Sequence, residues 1–370
     1  MRYCIHQPIL IFTFFLIFSQ LRLEAQEECG LLYYKGLEGQ NVPVESLYDW
    51  EIKKRQVIDS VEALIGALPE IPTLPPYRKY NFTFPPFDVT ILDSLVRNKH
   101  VRYNICFNVA EGEKVLAYLY IPHKNVFGTK RPAMLALPPT TGRILVDGKV
   151  PYARELADRG YVVLATEYPG IGELKDYDFE KDRYDSGIMK AIFNHIRCVD
   201  FLQVRQEVDP ERIGVIGHSL GGHSAIFLGV FDSRLKVIVS SVGWTLMEYY
   251  YVGEERTSKY GGRLGPWSQD LYAPLFKSKY DLDDSRFPFN FDELIATLAP
   301  RFFYSNSPIH DPNFSVEGVR KGVANVMEVY KLYDAENNLK IRYPIAGHSF
   351  PDSVRLNAYQ FIDKALKNFE

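Results

Sequence analysis

With 370 residues, 46% of them apolar and 14% aromatic, the chain can hold one large α/β domain or two smaller ones around a sizeable core. A formal net charge of −3, with no Lys/Arg blocks and no aromatic–basic interleaving, removes the electrostatic case for nucleic acid or an acidic membrane surface.

The chain begins with Arg2, an apolar run from about Pro8 to Phe18, and a small residue at Ala25. That run is too short for the ~20 residues that span a bilayer. It reads as a secretory signal peptide over residues 1–25, leaving an exported, periplasmic or secreted protein with no later membrane segment. Cys4 falls in the signal. Cys29, Cys106 and Cys198 remain, an odd number without C-x-x-C spacing, which argues against a zinc site or a disulfide framework while leaving one bridge open. Asn81 and Asn313 match the glycosylation acceptor pattern.

Leu47, Trp50, Val57, Val61, Leu64 and Leu68 recur at near-helical spacing before a Pro-rich stretch, so residues 26–86 read as a helical arm and connector. From Val101 the texture changes. VRYNICFNV and KVLAYLYIP flank Glu111-Gly112 and read as an antiparallel pair. Short apolar runs then alternate with helical stretches: PAMLALPP, YVVLATEYP, RIGVIGHS, LKVIVSSVGW, RFFYSNSP and LKIRYPI. Continuous apolar strands separated by helices predict an α/β fold, a mostly parallel central sheet covered on both faces, over residues 87–370. After the third-last strand, residues 245–300 interrupt the alternation with an aromatic-rich insertion punctuated by Pro and Gly.

The chemistry concentrates in Gly217-His218-Ser219-Leu220-Gly221, set between a strand and a helix. That context is what a G-x-S-x-G nucleophile turn requires: flanking glycines permit the tight backbone, and the helix N-terminus favours developing negative charge. Serine needs a base, and His348 stands in AGHSFP beyond the last strand. His218 and His223 flank the serine too closely, and His100, His123 and His195 precede it. The carboxylate that orients the base belongs after the penultimate strand, where Asp311 lies; Glu248 and Glu317 are its rivals. Such a set needs no metal or organic cofactor.

EYPGIGE, EVDPERIGVIGHSLGGHSA, LAPRFFYSNSPIHDPNF and AGHSFP together resemble the α/β-hydrolase superfamily over roughly residues 45–368, and within it the dienelactone-hydrolase and acetyl-xylan-esterase-like branch of exported bacterial hydrolases. The resemblance implies the α/β-hydrolase fold, Ser219, His348 and Asp311 as the triad, and an oxyanion hole made by the amide of Leu220 and one from the loop after PAMLAL. Many relatives open that loop with His-Gly. Here Pro138 and Pro139 stand there without N–H groups, which moves the donor to Thr140 or to Thr141. Two departures matter: the elbow lacks the Cys-Ser-Arg surroundings of glucuronoyl esterases, and Tyr168-Pro169-Gly170 replaces the Arg-Gly-Gln of xylan and cephalosporin deacetylases.

The reading is therefore a secreted serine carboxylesterase acting on a carbohydrate or small-molecule ester, acetyl, methyl or uronoyl. Tyr168, Trp244 and Trp267 are candidate sugar-stacking residues, although such aromatics equally serve to pack an insertion onto a domain. Two alternatives stay open. One is a single-domain aminopeptidase of the prolyl-oligopeptidase type, since about 75 residues before the core cannot build the usual propeller. The other is a catalytically silent hydrolase homologue that binds glycans or proteins.

Overall fold

The computed structural model describes residues 30–69, 87–127, 130–140, 151–179 and 183–367. Residues 1–25, Cys29 and Asn81 lie outside them. The described chain forms two compact units, dividing within one helix between Gln56 and Val57.

The first unit contains a short antiparallel ribbon of β1 (Tyr33–Lys35) and β2 (Asn41–Pro43), and then the start of α1 (Leu47–Ile65). Ser46 and Asp49 bond one another and the backbone at the start of α1, a reciprocal cap that satisfies amides with no helical partner. Gln56 closes the ribbon by bonding both the amide and the carbonyl of Lys35. The helix ends in the second unit at Gly66, whose φ of +93° suits a residue without Cβ.

The second unit is built on a nine-stranded sheet in the order β11-β10-β9-β8-β6-β7-β5-β4-β3. The expected antiparallel pair is β4 (His100–Ala110) and β5 (Glu113–Pro122). Before it comes an edge strand that the sequence pattern does not reveal, β3 (Thr90–Val96). Its apolar residues Ile91, Leu92, Leu95 and Val96 are spaced as on a helix, and a register shift between Ile91 and Asp93 breaks the alternation. The remaining strands, β6 (Arg131–Leu137), β7 (Val162–Thr166), β8 (Val208–His218), β9 (Leu235–Ser241), β10 (Phe302–Asn306) and β11 (Leu339–Arg342), run parallel to one another. β6 and β7 are buried throughout, as strands covered on both faces must be.

On one face, α2 (Pro151–Asp158) and α9 (Asp352–Leu366) share a core with the strands through Tyr152, Leu156, Tyr359 and Ile362. The other helices of the alternation are α3 (Gly187–Gln203), α4 (Leu220–Phe231) and α8 (Val316–Leu332). Between β9 and β10 the insertion contains no strand, only turns and the short helices α5 (Glu254–Lys259), α6 (Leu275–Ser278) and α7 (Phe291–Ala296). Strand order reverses around β6: the chain passes from β6 to β7 on one side, then crosses to β8 on the other. The carboxyl ends of β6 and β8 therefore frame a crevice of the kind where open α/β sheets bind ligands.

Glu155 on α2 accepts from Arg355 at 2.7 and 2.9 Å and from the Tyr359 hydroxyl at 2.6 Å, joining α2 to α9. Burial pushes its carboxyl up, but these donors outweigh burial and hold it below the ordinary glutamate value of 4.5. A depressed carboxylate stabilises the fold fully above its unfolded value and loses that contribution as pH falls through the folded one. Urea unfolding should therefore find Glu155→Gln about 1–3 kcal/mol less stable than wild type at pH 7. The gap should narrow towards pH 3; a gap of equal size at both pH values would contradict this assignment.

Candidate active site

β8 delivers Gly217 and His218 to the sheet's carboxyl edge, Ser219 turns the chain, and α4 starts at Leu220. Ser219 has φ +56° and ψ −117°, a conformation that strains any residue with a side chain. Neighbouring backbone leaves no alternative. A Cβ on Gly217 would stand 2.0 Å from the Gly221 carbonyl oxygen, and one on Gly221 would stand 2.1 Å from that of Leu137. Only glycine at 221 lets the end of β6 lie across the first turn of α4. The Ser219 amide is held by the Ser241 carbonyl at 2.8 Å.

Three residues far apart in sequence meet here. His348 Nε2 lies 2.8 Å from Ser219 Oγ, and His348 Nδ1 lies 3.1 and 3.0 Å from the two carboxylate oxygens of Asp311. The Asp311 side chain is 1% exposed and that of His348 24%, so the carboxylate is sheltered while the imidazole reaches the surface. Asp311 Oδ1 also accepts the amides of Asn313 and Phe314 at 2.8 and 3.2 Å, which fixes the carboxylate in place. Acid and base loops run together, with Ile309 and His310 donating to the carbonyls of Pro344 and Ala346. The rivals stand elsewhere: Glu248 accepts from Asn290, and Glu317 is exposed at the start of α8.

Two further histidines, His218 and His223, stand close to the turn. Burial, with the adjacent His348, lowers His218 to about 4, although Asp311 opposes the shift. Burial lowers His223 to about 3. Both are therefore uncharged near neutrality. The His218 ring lies flat against Phe350 at 6.4 Å and faces His348 at 5.6 Å.

Leu220 opens α4, where its amide has no carbonyl one turn back to bond. Leu220 packs with Tyr168 and Tyr272. Burial raises the Tyr272 phenol, and a hydrogen bond with Thr140 opposes that shift, so Tyr272 joins Thr140 to the Leu220 side of the site. Thr141 lies outside the described residues.

The candidate sugar-stacking residues need correction. Trp244 is 1% exposed, donates its indole N–H to Ser305 Oγ at 2.9 Å, and packs beside Gly322; it is a core residue. Trp267 is buried among His223, Tyr250, Phe276 and Phe291. Tyr168 is buried as well, its hydroxyl donating to the Leu271 carbonyl at 3.2 Å. Sequence shows that these rings follow strand ends but not on which side of the loop they turn. Instead, a chain of ring contacts runs from Leu220 and Tyr168 through Tyr272, Trp267, Tyr250 and Phe314 to His348, which Phe314 stacks on at 6.0 Å. The insertion supplies its middle and is pinned to the acid loop by a bridge between Tyr250 and Phe314. Ser241 and Asn306, polar residues closing two apolar strands, carry no motif that marks them in the sequence.

Among the described residues, no cluster of His, Cys, Asp or Glu could hold a metal, Cys106 and Cys198 are free thiols, and no helix is long and apolar enough to cross a membrane.

If the strain at Ser219 is imposed by its surroundings, glycine should relieve it and alanine should not. Ser219→Gly is expected to unfold at higher urea than Ser219→Ala, by about 1 kcal/mol. Equal midpoints would show that the turn stores no strain.

Residues 152–281 match the prolyl oligopeptidase family. A curated Bacillus subtilis protein named as a hydrolase, YtaP, is 25% identical over 221 residues, 58% of this chain and 68% of its own. A glucuronoyl esterase from Solibacter usitatus superposes with a TM-score of 0.67 at 17% identity, covering 91% of this chain and 97% of that one. An acetyl xylan esterase from Paenibacillus sp. R4 gives 0.54 at 17% identity, covering 76% and 90%. At such identities the two structures speak for fold. Sheet order, the match over residues 152–281 and these relatives converge on one architecture: the chain has an α/β-hydrolase-type fold.

Proposed function

We propose that the protein is a serine carboxylesterase that forms an acyl-enzyme on Ser219. The observation that supports this most is the continuous line Asp311–His348–Ser219, with a sheltered carboxylate at one end and a reachable hydroxyl at the other.

In this reading, Ser219 Oγ attacks the ester carbonyl while His348 Nε2 takes its proton. Asp311 holds the Nδ1–H edge, fixing the tautomer and stabilising the imidazolium that forms. The oxyanion meets the Leu220 amide and a second amide, assigned to Thr140, at the positive end of α4. Collapse expels the alcohol, which takes the proton from His348. A water then adds to the acyl-enzyme with His348 as base, releasing the acid and restoring Ser219.

The substrate reading is an ester carried by a carbohydrate. It is supported by the wall of rings from Tyr272 to Phe314, in which Tyr272 is half-buried and Tyr250, Trp267 and Phe314 are buried, and by structural neighbours that include glucuronoyl and acetyl xylan esterases. Tyr168 and Trp267 act in it as the backing of that wall, behind Tyr250 and Tyr272. The composition of the first 25 residues supports a site of action outside the cytoplasm. The prolyl oligopeptidase match supports a second reading, an aminopeptidase using the same three residues on an amide.

Hydrolysis of p-nitrophenyl acetate should fall by at least about 10³-fold in Ser219→Ala and in His348→Ala, with folding retained. Acid release from acetylated or methyl-esterified polysaccharide would establish the sugar ester. Turnover of proline p-nitroanilides without turnover of acyl esters would replace the esterase with the peptidase.

A further inference from the structure

Three polar side chains form a row across the carboxyl edge of the sheet, beneath the candidate triad. His218, Ser241 and Asn306 are register partners on β8, β9 and β10. Ser241 and Asn306 are fully buried. Asn306 Nδ2 donates to Ser241 Oγ at 2.8 Å and to the Ser349 carbonyl at 2.9 Å, and Ser241 Oγ lies 3.0 Å from His218 Nδ1. The polarity of this row follows from chemistry. A carbonyl only accepts, so Asn306 must turn its NH2 edge towards Ser349, and the same NH2 then faces Ser241. Ser241 accepts there and has its own proton to donate, and His218 Nδ1 receives it.

The row reaches both reacting groups. The Ser241 carbonyl holds the Ser219 amide, and Ser349 follows His348 in the chain. We infer that Asn306 is a positioning residue for the Ser219–His348 pair: its amide ties the nucleophile turn to the base loop, and the donor direction Asn306 to Ser241 to His218 keeps His218 an uncharged acceptor beside His348. This rests on reading Ser219 as nucleophile and His348 as base.

The charge consequence is specific. A doubly protonated His218 would have to donate Nδ1–H to Ser241, leaving the hydroxyl proton between two donors with nothing to accept it. The titratable groups facing His218 are His348 and Asp311 from the base and acid loops, and Tyr152 of α2 at its backbone; Phe350 covers the ring without adding charge. Burial acts in the same direction. When His348 takes the Ser219 proton, the new imidazolium thus faces a neutral ring 5.6 Å away instead of a second cation.

Asn306→Asp keeps the shape and reverses the donor. Its carboxylate accepts from Ser241, which then presents a lone pair to His218 and favours the protonated ring. Hydrolysis of p-nitrophenyl acetate against pH, with circular dichroism and thermal unfolding to verify the fold, tests this in wild type, Asn306→Asp, Ser241→Ala and Ser219→Ala. In Asn306→Asp, kcat should fall about 10-fold with KM within about twofold, as expected for a misplaced base. The acid limb of log kcat/KM should also steepen from one proton to two. A one-proton limb in folded Asn306→Asp, whatever its rate, is what a merely structural role gives and overturns the inference. Should Asn306→Asp not fold, Ser241→Ala decides: a severalfold loss in kcat at unchanged KM supports the row, and an unchanged kcat overturns it. Ser219→Ala separates the two layers. If it is inactive while the row variants behave as wild type, only this inference fails; if it keeps wild-type turnover, the nucleophile reading fails and takes the inference with it.

Discussion

The backbone at Ser219 is bent into a conformation that costs energy for any residue with a Cβ, and the rest of the site is arranged around holding it there. The Gly221 turn is packed against the carbonyls of Leu137 and Pro138, and the Ser219 amide is held by Ser241. The same contacts place the loop after β6 beside the first amide of α4. In the proposed reading, presenting an oxygen nucleophile and providing donors for the charge it creates thus arise from one piece of packing.

Around this turn the protein limits where charge can appear. His218 and His223 are depressed by burial, and the rings that continue the wall, Tyr250, Trp267 and Phe314, carry no charge. One carboxylate, Asp311, lies within hydrogen-bond distance of His348, and two backbone amides hold it. An imidazolium formed at His348 would find its stabilisation on one side only, which gives direction to proton transfer. The insertion contributes by position. Its aromatic residues join the Leu220 side of the site to the loop of Asp311, from a segment that adds no strand to the sheet.

The parts of this arrangement legible in the sequence were those with local causes. Two glycines around a serine, between an apolar strand and a helix, mark a tight turn within five residues, and chain order points to Asp311 and His348, with Glu248 and Glu317 as rival acids. What escaped reading depended on contacts between distant segments. Trp244 follows a strand end as a ligand-facing ring would, yet it turns inward to Ser305, 61 residues away. Ser241 and Asn306 look like ordinary polar stops to apolar strands until register aligns them with His218. β3 was missed because its apolar residues sit at helical spacing on an exposed edge, where neither face is forced to alternate.

The most direct measurement is mass spectrometry of the folded protein after treatment with a fluorophosphonate, which reacts preferentially with a serine whose proton is being withdrawn. One adduct, located on the peptide containing Ser219 and missing from His348→Ala, is the predicted result. A protein that stays unlabelled, or one labelled at another residue, would mean that this serine is no nucleophile and that the turn serves the fold alone.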